Sequence, residues 1–331
     1  MDKQLLMAAL AAEAKVIDKA IEDDIDRLQG KVDPLLPEVL RYGLLQGGKR
    51  VRPLLVVLAA RMCGCMDSAV YELASAFEYL HAATLFHDDV IDNAETRRGN
   101  PSVYKKYGLI SAILAGDFLH ARSMEIVGRL AGDDGLHVFC EATAGMVDGE
   151  FMQLRNASQL NLNEVDYYEA IMGKTGLLIA ASCEVGAIFG GATPEQRRAL
   201  REYGVGLGCA FQMVDDLLDY NGDKQKTGKA VGNDLAEGKM TLPLIMALSK
   251  AEPVDKLELE QIIAAPELRE VEFSKVHGLI EKYDGFNETR RRAQDAVERA
   301  VKELEIFAGP AVAGEKDVLA GLAHYVLSRD K

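Results

Sequence analysis

"FEYLHAATLFHDDVIDNAETRRG", Phe77 to Gly99, carries an apolar run straight into three carboxylates, Asp88, Asp89 and Asp92, and then into two arginines. The apolar part has helical periodicity, so the acidic residues fall at the end of a helix predicted over 68–92. At 3.6 residues per turn Asp88 and Asp92 share one face of that helix. Like charges four apart cost a helix about 0.2–0.5 kcal/mol. A bound cation is the simplest compensation.

The same periodicity extends outward from this segment. Helices are expected near 2–28, 35–46, 53–63, 110–131, 135–156, 164–190, 195–220, 240–249 and 286–307, with others toward the C-terminus. Breakers separate them at Pro34, Pro101, Gly132 and Pro194. Thr193 is the expected N-cap of the helix that begins at Pro194. Strand alternation bounded by hairpin turns is absent, and no Pro/Gly/Ser-rich linker divides the chain. The expected fold is therefore all-α, a single many-helix domain over residues 1–331.

Bulk composition excludes several functions. A formal charge of −14 argues against nucleic acid as a partner, since no basic stripe is available for a phosphate backbone. The five cysteines are odd in number and scattered, and the lone C-x-C at Cys63 and Cys65 is a poor zinc signal. They read as reduced thiols of a cytoplasmic protein. No run approaches the ~18 apolar residues of a membrane span. The N-terminal segment, with Asp2, Glu13 and Asp18, suits an amphipathic helix and not a signal peptide.

A second acidic motif, "DDLLD" at Asp215–Asp219, echoes "DDVID" at Asp88–Asp92. One DD-x-x-D on a helix is usually a solvated face; two copies, each closing an apolar helix, suggest a shared task. Carboxylates are hard ligands, and Mg²⁺ is held by a few of them together with waters and substrate phosphates. Neither segment fits an EF-hand loop. Facing one another, two such helix ends would hold several Mg²⁺ ions and through them a diphosphate.

Basic residues complete the set. "GGKRVRP" brings Gly48, Lys49, Arg50 and Arg52 to a helix start, a natural anion site. "GLLQGGKR" almost spells a P-loop, but Arg50 replaces the Ser or Thr and the preceding segment is helical. Arg97 and Arg98 could neutralise the aspartates or clamp two phosphate groups. "GKTG" supplies Lys174 and Thr175, "FQMVDDLLD" adds Gln212, and "TGKAVGNDLAEGKMTLP" contains Lys229 and Lys239. His81 lies two turns before Asp88 on about the same face. Gly204 and Gly208, four apart, suit close helix packing better than a nucleotide loop.

In this order the motifs resemble those of the all-trans isoprenyl diphosphate synthases, the polyprenyl synthetases, from about residue 40 to 245. The resemblance implies an all-α bundle around a central cavity, usually a homodimer. It implies an allylic diphosphate that ionises with the help of Mg²⁺, with three ions per site, and isopentenyl diphosphate that attacks through its double bond. Carried over by position, Asp88, Asp92, Asp215 and Asp219 would serve the metal. Arg97, Lys174, Thr175, Gln212, Lys229 and Lys239 would hold the allylic diphosphate. Gly48, Lys49, Arg52, His81 and Arg98 would hold isopentenyl diphosphate. Transient membrane contact would accompany release of a lipid product.

In this family the residues four and five before the first aspartate help set product length, and aromatics there block the tunnel. Here they are Thr84 and Ala83, both small, and the first motif carries no two-residue insertion. Both features imply a hexaprenyl to decaprenyl product, with octaprenyl central and farnesyl diphosphate as the primer. A geranylgeranyl or farnesyl diphosphate synthase is the alternative. A class I terpene cyclase fits less well, because its second metal motif normally departs from D-D-x-x-D. A non-catalytic subunit of a heteromeric synthase would be expected to have lost one motif.

Overall fold

The computed structural model describes residues 2–157, 164–221 and 232–329, and it is all-α. Among the described residues the only ladder is a two-residue pair, Thr96–Arg97 with Asn100–Pro101. The chain divides into two compact units interleaved in sequence. The first holds 1–140, 181–200 and 306–319, and the second the remainder.

In the first unit α1 (Lys3–Leu28), α2 (Leu35–Leu44), α3 (Val51–Met62), α4 (Val70–Ile91) and α5 (Val103–Tyr107) precede the start of α6 (Leu109–Ala157). The run "PLLVVLAA" of α3 is apolar all round, which demands burial on every side. Pro53 through Ala60 are indeed all buried. Where α8 (Leu177–Phe189) runs through this unit it meets α3 backbone to backbone. A Cβ at Gly186 would stand 2.4 Å from the Val56 carbonyl oxygen. The expected break in α6 is at Gly132, whose φ of 65° and ψ of −165° suit only glycine.

The second unit contains the end of α6, α7 (Glu164–Ile171), a π-turn at Met172–Gly176, and most of α9 (Pro194–Asn221). Further helices follow: α10 (Asn233–Ala236), α11 (Leu242–Lys250), α12 (Pro253–Ala264), α13 (Pro266–Arg269), α14 (Phe273–Lys282) and α15 (Gly285–Glu303). α16 (Ala313–Leu327) ends in it. Leu217, Tyr220, Leu244, Leu259, Ile280 and Phe286 are at the heart of its apolar core. Gly204 and Gly208 do serve close packing. Added Cβ atoms would lie 2.6 Å from Ala180 Cα and 2.7 Å from Gly176 Cα.

The start of α9 carries a reciprocal cap: Gln196 N–H donates to Thr193 Oγ1 (3.3 Å) and Thr193 N–H to Gln196 Oε1 (3.0 Å). One expectation needs correction. Glu164–Phe189 is long and apolar enough by composition to cross a membrane, but 78% of its apolar window is buried inside the protein. It is a core helix, made apolar by protein neighbours.

Candidate active site

In the first unit α4 ends where its carboxylates begin. Asp92 is the C-cap, its N–H bonded to the Asp88 carbonyl at 2.8 Å. The chain then reverses through Asn93 (φ 51°) and a hairpin whose two central residues, Arg98 (φ 53°) and Gly99 (φ 79°), are left-handed. Two positive φ values in a two-residue loop are the signature of a type I′ turn. The turn brings Arg97 back onto α4, where Nε (2.8 Å) and Nη2 (2.7 Å) donate to Asp89 Oδ1. Asp89 is 1% exposed. Asp88 is half-buried and Asp92 exposed, so the motif divides into one inward carboxylate and two that water can reach.

The loop before α3 is fixed from both ends. Arg98 donates to the Gly47 carbonyl, and a Cβ on Gly48 would lie 2.9 Å from Arg98 Nη1. Lys49 is exposed, whereas Arg50 turns inward toward Glu78, Asp18 and the Leu44 carbonyl. Arg52 has its Nε buried with no hydrogen-bond partner among the described residues. His81 is held well below its ordinary pKa, first by burial and then by Arg52, Arg98, Arg97 and Arg50. A neutral imidazole there donates a hydrogen bond but adds no charge. The predicted residues Gly48, Arg52, His81 and Arg98 thus converge on one basic cluster. One turn on, Thr84 Oγ1 donates to the His81 carbonyl (2.8 Å), and Ala83 is 3% exposed.

In the second unit the sequence "MGKTG" forms the π-turn, a feature that recurs at functional sites. Glycines let it touch its neighbours through backbone alone. A Cβ on Gly149 would stand 2.7 Å from the Lys174 nitrogen. Lys174 Nζ reaches Gln153 Oε1 and Glu150 Oε1, both at 2.9 Å. Thr175 Oγ1 donates to Gln212 Oε1 (3.2 Å), and Gln212 Nε2 donates to Asp216 Oδ1 (3.1 Å). Tyr167 completes the chain with a hydroxyl donated to Asp216 Oδ2 at 2.7 Å. Lys174, Gln212, Asp216, Asp234 and Lys239 line a cavity of about 120 Å³.

Electrostatics in this unit favour an added cation. Burial pushes the Asp216 carboxyl up to about 7. Burial, and then the Asp234 charge, push Asp219 to about 6. Lys239 is divided between Asp234 (3.2 Å) and Glu237 (2.5 Å). Arg329, which no sequence motif singled out, approaches Asp215 to 3.1 Å while its guanidinium covers the Phe211 ring at 4.1 Å. Lys229 lies outside the described residues.

Sequence reasoning missed Glu78, Tyr167, Asp234 and Arg329. Glu78 did leave a trace, as the one Asp, Glu, Lys or Arg between Leu73 and Phe86.

A family profile described as polyprenyl synthetase matches residues 33–279. Octaprenyl diphosphate synthase of Escherichia coli (strain K12) is 35% identical over 297 residues, covering 90% of this chain and 91% of that protein. A short chain isoprenyl diphosphate synthase of Methanothermobacter thermautotrophicus is 33% identical over 324 residues, covering 95% and 98%. Among solved structures, a polyprenyl synthase from Caulobacter crescentus CB15 complexed with calcium and isoprenyl diphosphate superposes with a TM-score of 0.86. It is 35% identical and covers 98% of this chain and 97% of its own.

Proposed function

The chain belongs to the polyprenyl synthetase family, whose members are prenyltransferases, and we propose that it makes a long-chain all-trans product from farnesyl and isopentenyl diphosphates. The observation that carries the length is the small, buried Ala83 five residues before Asp88, with half-buried Thr84 beside it. At that level α4 itself presents only small side chains to a prenyl chain growing away from Asp88. Hexaprenyl to decaprenyl is the proposed range, octaprenyl its centre. A specific observation favours a shorter product: Phe77 and Phe139, both fully buried, meet edge-to-face at 5.2 Å. Phe77 precedes Asp88 by eleven residues, about 16 Å of helix.

The donor set fits Mg²⁺. Asp88, Asp92, Asp215 and Asp219 are hard oxygen ligands, and the charged form of Asp219, disfavoured first by burial and then by Asp234, is one that a divalent cation would stabilise. These four are the proposed ligands of three ions, which when bound neutralise charge on the departing diphosphate.

The chain's own groups do the rest. Lys174, Thr175, Gln212 and Lys239, with Arg97 and Lys229, hold the allylic diphosphate as its C–O bond breaks. Donors already fixed by neighbours, as Gln212 is by Thr175 and Asp216, need little reorganisation as charge develops. Lys49, Arg52, His81 and Arg98, with the Gly48 backbone, hold isopentenyl diphosphate while its double bond attacks the allylic carbon. The proton then lost goes to the released diphosphate. Apolar walls keep water from the cation.

Incubation with farnesyl diphosphate, labelled isopentenyl diphosphate and Mg²⁺, followed by chromatography of the dephosphorylated products, tests this reading. Hexaprenyl to decaprenyl alcohols are expected. A geranylgeranyl product would give the Phe77–Phe139 pair the decision, and no consumption of isopentenyl diphosphate would overturn the activity. The substrates are water-soluble, which suits a cytoplasmic enzyme that meets a membrane only to release its lipid.

A homodimer belongs to the same proposal. Along the start of α6, Ile110 (70% exposed) and Leu114 (60%) present an apolar stripe with Leu109 and Ile113. Stripes of this kind mark association surfaces. Light scattering is expected to give twice the 36.1 kDa chain mass, and Ile110→Asp with Leu114→Asp to halve it. A wild-type monomer would refute the dimer.

A further inference from the structure

Glu78 is 5% exposed, a carboxylate on an α4 face that also carries the buried Ala74, Ser75 and Ala82. An ionised group is tolerated there only when paired and hydrogen-bonded. Its partner is Arg50, whose Nη1 donates to Glu78 Oε1. The other two Arg50 nitrogens are bonded as well, Nε to Asp18 Oδ1 (2.7 Å) and Nη2 to the Leu44 carbonyl (2.6 Å), and the residue is only 3% exposed. Arg50 also holds a φ of 48°, which a residue with a side chain rarely adopts without outside support.

Arg50 is therefore closed to any substrate, although it sits in the middle of the basic motif. Its work is on the chain itself. It fixes the C-terminal end of the Gly47–Gly48–Lys49 loop, as Arg98 fixes the other end through the Gly47 carbonyl. The charge of Glu78 also acts on Arg52 and Arg98. Three guanidiniums thus share the field of one buried anion.

We propose that Glu78 is a positioning residue for isopentenyl diphosphate: through Arg50 it sets the Gly47–Lys49 loop, and its charge lets Arg52 and Arg98 converge on one diphosphate. This rests on the assignment of that substrate to Lys49, Arg52, His81 and Arg98 made above. Glu78 touches no substrate itself. A group that shapes one substrate's site should alter the KM for that substrate while sparing the other and kcat.

Glu78→Gln keeps the shape and removes the charge. With Mg²⁺ saturating, its KM for isopentenyl diphosphate is expected to rise roughly tenfold, with the allylic KM and kcat within about threefold of wild type. The melting temperature should change little. An unchanged KM in a folded variant overturns the proposal. A lowered KM does so too, since it would mean that the carboxylate merely repels the diphosphate. Equal losses toward both substrates with a lowered melting temperature would show a purely structural residue.

Should Glu78→Gln not fold, Asp18→Asn decides. It removes the half-exposed partner of Arg50 and should raise the same KM about threefold, and no change would overturn the proposal. A wild-type chain that forms no prenyl product refutes the substrate assignment itself, whereas a working enzyme with unaltered variants refutes only the role of Glu78.

Discussion

Asp88→Ala and Asp215→Ala should each lower kcat about a thousandfold, the equivalent of about 4 kcal/mol of lost transition-state stabilisation. The loss falls on kcat because the charge neutralised by the metal grows as the C–O bond breaks. Both variants should remain folded. Asp88 is half-buried and shares a helix face with Asp92, so its removal relieves a repulsion. Asp215 is also half-buried, and after its loss the Arg329 guanidinium keeps its place over the Phe211 ring. Single-turnover kinetics with circular dichroism check this. Near-normal turnover by both variants would mean that the acidic motifs are solvated faces.

Supplied with geranyl diphosphate as the primer, Ala83→Phe should stop at farnesyl or geranylgeranyl length. Position 83 is one and a half turns before Asp88, about 7–8 Å along α4. A ring there would stand across the path of a chain after one or two additions. Ionisation near Asp88 should persist, so isopentenyl diphosphate is still consumed and only the product distribution moves. Because Ala83 is buried, the larger side chain costs about 1–3 kcal/mol by overpacking, and a thermal melt has to accompany the chromatography. An unchanged long product from a folded variant would show that Ala83 does not border the growing chain.

Features set by local periodicity were legible in the sequence. Expected helices at 2–28, 35–46 and 195–220 are observed at Lys3–Leu28, Leu35–Leu44 and Pro194–Asn221, because the 3.6-residue repeat and its breakers act within a few residues. The rejected P-loop stays rejected, since α2, a helix, precedes the glycines. The family motifs marked where charged residues cluster. They did not reveal which carboxylate in each motif turns inward. Asp89 is claimed by Arg97 across a hairpin, and Asp216 by a tyrosine 49 positions away. Those partners are chosen by packing. The inward turn of Arg50 was equally hidden, as it depends on Glu78 and Asp18 in other helices.

The π-turn at Met172–Gly176 limits how this protein can be re-engineered. Gly173 meets Gly149, and Gly176 meets Gly208, with no side chain between, so a methyl group on Gly149, Gly173 or Gly208 would press on peptide backbone that cannot rotate away. A mutant library spread over these positions should return mostly inactive clones. Along α4, by contrast, the residues near Ala83 meet their surroundings through side chains, which can be traded for volume. Selection for altered chain length should therefore find its winners on α4, leaving the diphosphate-holding turn untouched.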